Sequence, residues 1–120
     1  MLLSHNLRNR VYLAAGVTDM RKSIDGLALI VSEVMELDPF SESLFVFCNR
    51  GRNKLKILHW QTNGFWLYYR RLEKGQFNWP KAGHPAQPII LTQRELNWLL
   101  DGLPIEQKAA HKVLQYQSVV

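Results

Sequence analysis

Residues 44–80 read LFVFCNRGRNKLKILHWQTNGFWLYYRRLEKGQFNWP, three apolar runs divided by turn-forming residues. Asn49-Arg50-Gly51-Arg52-Asn53 separates the first run from the second, and Gln61-Thr62-Asn63-Gly64 the second from the third. Asn63-Gly64 is the dipeptide there that best tolerates the positive φ of a tight hairpin. The runs Leu44 to Cys48, Lys54 to Trp60 and Phe65 to Leu72 are rich in aromatic and branched side chains, which suit a pleated, half-buried surface. They predict a three-stranded meander. A short fourth strand is expected at Gln76 to Trp79, stopped by Pro80, which has no N–H for a ladder.

The same stretch carries charge of one sign. No carboxylate lies between Glu42 and Glu73, whereas Arg50, Arg52, Lys54, Lys56, Arg70 and Arg71 all do. Side chains alternate across a strand, so Lys54, Lys56, Leu58 and Trp60 share one face and Leu55, Ile57 and His59 the other. In the third run Trp66, Tyr68 and Arg70 oppose Phe65, Leu67, Tyr69 and Arg71. Both faces carry aromatics, and the pattern leaves open which of them is inward.

The chain has 120 residues, the length of one domain, and is 47% hydrophobic and 21% charged, enough to build a core without disulfide or metal. One domain over 1–120 is expected, with 1–10 a loose leader, 11–103 the globular core and 104–120 a weakly structured or partner-dependent tail. The single cysteine, Cys48, lies within an expected strand and reads as a buried thiol. One free cysteine without a signal-peptide pattern suits a reducing cytoplasm. No apolar run approaches the roughly 20 residues of a membrane span, so no membrane partner is expected. A net charge of +5, with six of fifteen basic residues in an acid-free span, favours a polyanionic partner.

Upstream, Val11 to Ala15 forms a short apolar run ended by Gly16, a first strand able to join the sheet. Thr18 or Asp19 can cap a following helix, in which Met20, Ile24, Leu27, Val31, Val34 and Met35 form an apolar stripe. That helix is expected over Asp19 to Glu36, closed by Asp38-Pro39. Asp19 and Arg21 have two readings: a first-turn acid beside a solvated cation, or, with Thr18, a polar contact site at the helix start.

Downstream, Lys81 to Pro88 reads as a loop and Ile89 to Leu91 as a brief edge strand. Thr92-Gln93-Arg94-Glu95 is a capping box opening a short helix from about Gln93 to Asp101, terminated by Gly102. Weak helical spacing continues through Ile105, Ala109, Val113 and Tyr116.

A reaction centre is not legible. His5, His59, His84 and His111 lie far apart with no metal-ligand spacing, and Gly51 and Gly64 belong to hairpin turns rather than phosphate-cradling loops. Asp19, Asp25 and Asp38 do not share a helix face. No metal, no cofactor and no catalysis are expected.

Gly16-Val17-Thr18-Asp19-Met20-Arg21-Lys22, Asp25-Gly26-Leu27-Ala28, Asp38-Pro39-Phe40-Ser41, Leu44 to Phe47, Lys54 to Trp60, Arg71 to Gly75, Phe77-Asn78-Trp79-Pro80 and Leu91-Thr92 occur in that order over residues 10–103. Together they resemble the TnpB accessory proteins, the second reading frame of insertion sequence 66 elements of bacteria. Ser23, Ile24 and the Cys48-Asn49 pair depart from the glycine, aromatic and arginine that are common in that family. The resemblance implies a factor required for transposition that accompanies a larger transposase carrying the acidic catalytic residues. It also makes Thr18, Asp19, Arg21 and Lys22 a family-motif polar site.

The expected fold is therefore α+β: an antiparallel sheet of about four strands, a long helix across one face, and a short C-terminal helix over an edge. The expected activity is non-catalytic DNA binding through Arg50, Arg52, Lys54, Lys56, Arg70 and Arg71, with Trp60, Trp66 and Tyr68 beside them. The expected partners are the element ends and the transposase. A rival reading makes the chain a protein-interaction module that binds the transposase without DNA. A third is a small nuclease using His59 and Arg70. An uncovered edge such as Ile89 to Leu91 leaves pairing with a second copy open.

Overall fold

Burying apolar side chains that point to both sides of a sheet requires a layer on each face, and the chain supplies one from each flank of residues 44–80. In the computed structural model, which describes residues 9–80 and 83–103, the order is β1 (Val11–Leu13), α1 (Ile24–Leu29), a π-helical continuation (Ile30–Val34), β2 (Leu44–Cys48), β3 (Lys54–Gln61), β4 (Gly64–Arg71), β5 (Ile89–Leu91) and α2 (Gln93–Leu100). The strands form one sheet in the order β4-β3-β2-β1-β5. Most of the leader expected over 1–10, and the whole tail expected over 104–120, lie outside the described residues. No helix among the described residues is long and apolar enough to cross a membrane.

The fold is α+β, and its sheet is mixed rather than antiparallel. β2, β3 and β4 form the expected meander, with Val46 opposite Ile57 and Ile57 opposite Tyr68. β1 runs parallel to β2, Val11 opposite Leu44, because α1 carries the chain back across the sheet between them. β5 then adds antiparallel to β1. All five residues of β2 are buried, as a central strand covered on both faces requires.

Gln76 to Trp79 is not a strand. The Phe77 N–H donates to the Arg52 carbonyl (2.6 Å) and the indole Nε1 of Trp79 to the Gly16 carbonyl (3.0 Å). These single ties drop both rings into the core, where Phe77 is 1% and Trp79 4% exposed. Burying two large rings outweighs a further ladder, and the fifth strand comes instead from residues 89–91.

The first helix starts later than expected, at Ile24 after Ser23. Asp19 does not cap it; its carboxylate accepts from the Arg21 N–H (2.9 Å) and Lys22 N–H bonds the Asp19 carbonyl (3.1 Å), a local turn that competes with helix. Leu27, Val31 and Met35 are buried against Ala14, Phe45, Phe47 and Leu58. The last turn is widened, Met35 N–H reaching Ile30 (2.9 Å), and Glu36 at φ 55° ends it before Asp38-Pro39.

α2 has the expected capping box: Thr92 Oγ1 accepts from Glu95 N–H (3.0 Å) and Glu95 Oε1 from Thr92 N–H (2.9 Å). It covers the face opposite α1 rather than an edge, with Leu96 and Leu99 packed among Leu13, Val46 and Ile57. At the β3–β4 hairpin the two-residue loop is Thr62-Asn63, and the positive φ (60°) falls on Thr62, not on Asn63-Gly64.

Candidate functional site

The central strand is covered on both faces, which leaves the open positions at the edges and ends of the sheet. At one end the loop after β1 and the β2–β3 turn meet. The parallel pairing of β1 with β2 runs on past the strand: Ala14 N–H bonds the Val46 carbonyl (2.9 Å) and Thr18 N–H that of Cys48 (2.8 Å). Thr18 is thereby 4% exposed, and Asp19, Met20 and Arg21 are delivered beside Asn49 and Arg50.

The β2–β3 turn is held by side chains. Asn49 Oδ1 accepts from the Asn53 and Lys54 N–H groups (both 3.0 Å), and its Nδ2 donates to Asn53 Oδ1 (2.9 Å). Arg52 sits at φ 57°, where its carbonyl receives Phe77 N–H, and the Gly51 carbonyl receives Gln76 Nε2 (2.9 Å). The turn is thus fixed from both sides, which presents Arg50 as an exposed side chain on a rigid support.

Between loop and turn lies a groove of about 390 Å³ whose walls include Thr18, Asp19, Arg21, Arg50, Lys54 and Tyr69. A neighbouring recess of about 330 Å³, between Val17, Arg50, Arg52 and Trp79, continues past Arg50. Among the described residues Asp19 is the one carboxylate lining either of them, and it is neutralised on the spot. The Arg21 guanidinium grips it with Nε and Nη2 (3.1 and 2.7 Å). That hydrogen bonding, with the Arg21 N–H, holds its pKa at about 2, well below the usual carboxylate range. Among the described residues the remaining cations of the rim, exposed Arg50 and half-buried Arg52 and Lys54, have no carboxylate partner.

The geometry divides the residues expected to bind nucleic acid. Thr18, Asp19 and Arg21 come together with Arg50 and Lys54, and Arg52 adjoins them. Lys22 is exposed beside them, with its carbonyl held from below. Lys56 is employed otherwise: its Nζ donates to the Met20 and Lys22 carbonyls (2.8 Å each) and lies 5.7 Å from the Tyr69 ring centroid. Arg71 faces Lys54 across the ladder and pairs with Glu73 (2.7 Å). Trp60 packs edge-on against Phe40 and Phe65 at the far end of β3.

Trp66, Tyr68 and Arg70 lie on the α2 side. Trp66 and Tyr68 stack at 6.1 Å, and Arg70 Nη1 donates to the Leu100 carbonyl (2.8 Å), capping the last turn of α2. Among the described residues the buried Tyr68 hydroxyl has no hydrogen-bond partner, and desolvation raises its pKa. His59 is 7% exposed, with Nδ1 3.3 Å from the Ser43 carbonyl, and lies four residues along β3 from the partner of Arg70, a separation of about 13 Å. They do not form a reacting pair.

Val17, Asn49 and Tyr69 line the site and were not singled out from the sequence. Asn49 carried a usable signal, as the first residue of a turn that its side chain can close. Tyr69 could be found only by counting the hairpin register to Lys56.

No solved structure matches this chain. A protein of Sinorhizobium fredii (strain NBRC 101917 / NGR234) named uncharacterized protein y4hO is 40% identical over 94 residues, covering 78% of this chain and 80% of that one. A second from the same strain, uncharacterized protein y4jC, is 28% identical over 94 residues, covering 78% and 79%. The profile described as IS66 Orf2 like protein matches residues 9–110. That span takes in the whole sheet, both helices and the groove-forming loop, and the chain belongs to this IS66 Orf2-like family, the TnpB accessory proteins of insertion-sequence transposition.

Proposed function

We propose that the chain serves transposition without catalysing it, by gripping the DNA backbone at the groove between the Thr18–Lys22 loop and the β2–β3 turn. The observation that carries this reading is the convergence of Arg50 and Lys54 around one groove, with Arg52 beside it and Asp19, the only lining carboxylate among the described residues, tied up by Arg21. Clustered cations on a fixed turn match phosphate oxygens in charge, and Arg50 on its turn can reach toward a groove edge. Lys56, Arg70 and Arg71 already have protein partners, so the contact set is smaller than the six cations of the meander.

Fluorescence anisotropy with labelled element-end duplex, across a salt series, tests it. With about three phosphates neutralised, log affinity falls against log salt with a slope of about −3. Arg50→Ala with Lys54→Ala weakens binding and flattens that slope by about two. Unchanged affinity and slope would remove DNA from the site.

A second reading, in which the direct partner is the transposase protein, draws on the exposed aromatics. Trp66 is 46% and Tyr69 53% exposed, and such side chains anchor protein interfaces. A salt-insensitive complex with the purified transposase, lost in Trp66→Ala and kept in Arg50→Ala, would favour it.

A further inference from the structure

The two edges of the sheet are unlike. β5 closes one side with three residues directly preceded by Pro88, and shortness and proline both discourage further pairing. β4 closes the other side with eight residues, paired one for one with β3, without proline, acid or bulge. Such an edge is a template for another strand.

Which atoms it presents follows from the ladder. Leu72 N–H donates to the Asn53 carbonyl at 2.8 Å, so even-numbered positions of this strand exchange bonds with β3. Phe65, Leu67, Tyr69 and Arg71 therefore direct their N–H and C=O groups outward, and among the described residues no strand meets them. The side chains add apolar area, Trp66 and Tyr69 being about half exposed.

We propose that β4 is the self-association edge of this protein. Two copies pair antiparallel through it, Tyr68 opposite Tyr68 of the second copy, into one continuous sheet. This register engages all four outward residues: Phe65 meets Arg71 of the second copy, and Leu67 meets Tyr69. It also sets Trp66 opposite Arg70, so every arginine faces an aromatic ring and none faces a cation, an arrangement that favours pairing through cation–π contact. The edge is self-complementary about a two-fold axis, the usual closure of a homodimer. An axis normal to the sheet keeps both α1 faces on one side, so the two grooves look the same way. The pairing does not depend on what those grooves bind.

Sedimentation equilibrium of the full chain tests the proposal. The mass approaches that of two chains as concentration rises. Tyr69→Pro removes an outward N–H and no bond to β3; it weakens association at least about tenfold while the far-ultraviolet spectrum is kept. Ile90→Lys, on the β5 edge, leaves association unchanged. A chain that stays monomeric up to its solubility limit, or an association lost in Ile90→Lys and kept in Tyr69→Pro, would overturn it. Oxidative cross-linking of Tyr68→Cys gives a second readout that needs no proline. Covalent dimer forms there and not in Gln61→Cys, and equal yields from the two would refute the register. The buried Cys48 thiol, its pKa pushed up to about 11 by desolvation, does not compete.

Discussion

Lys56 holds Met20: its ammonium, on the middle of β3, donates to the Met20 carbonyl at 2.8 Å and equally to that of Lys22. A cation that sequence alone marks for phosphate is thus the strut under the loop that forms one wall of the groove. Lys56→Met keeps the stem and removes both charge-assisted bonds, leaving two carbonyls to find water. We expect a loss of about 2–3 kcal/mol, read as a lower urea midpoint with unchanged m-value. DNA affinity falls through loosening of the loop, while the salt slope stays near that of the parent. A slope reduced by a full unit would instead make Lys56 a phosphate contact.

Asp19 gives the site a pH signature. Its pKa is lowered from 3.8 to about 2 by the Arg21 side chain and main chain. Because the folded value is the lower one, the stabilisation it contributes is complete above about pH 4 and is lost as pH falls through 2. NMR titration of the carboxyl should find its midpoint near 2, and Arg21→Ala, which removes the side-chain bonds and keeps the main-chain N–H, should move it up toward the ordinary carboxylate range. An unchanged midpoint in Arg21→Ala would show that the fork is not formed in solution.

Thr62 is a β-branched residue at φ 60°, in a hairpin loop where glycine is at ease. Thr62→Gly should stabilise the fold by about 1 kcal/mol, raising Tm by about 4–8 °C in thermal unfolding. A lowered Tm would mean that Thr62 makes a compensating contact.

Gly83 lies against Ala15, just past β1, at φ 133°, where an added Cβ would come within 2.6 Å of the Ala15 Cβ. Gly83→Ala therefore combines a disfavoured backbone with a clash against a buried methyl, and costs about 2–3 kcal/mol by chemical denaturation. Ala15→Gly in the same chain should recover part of the loss, since it removes the obstructing methyl but not the strain.

Much of this was legible because short-range rules govern it. The meander follows from alternation, the capping box of α2 from Thr92 and Glu95, and the buried stripe of Leu27, Val31 and Met35 from helical spacing. The site was half legible: the clustering of Arg50, Arg52 and Lys54 is visible in the chain, and so is the polar run from Thr18 to Lys22. Their meeting is not visible, because it depends on β1 lying parallel to β2 and carrying Thr18 alongside Cys48.

By itself the sequence determined the strands of the meander, the capped C-terminal helix, the basic character of residues 50–56 and the family. Those properties reside in neighbours along the chain or in side-chain types, and need no knowledge of distant contacts. Only the tertiary structure decided the sheet order, the later start of the first helix and the division of the cations between groove and scaffold. Each of these was settled by partners remote in sequence: Lys56 by the carbonyls of Met20 and Lys22, Arg70 by Leu100, and residues 77–79 by the core that their rings complete. The physical reason is that burial and hydrogen-bond satisfaction are settled over the whole fold, and outweigh local propensity wherever the two compete.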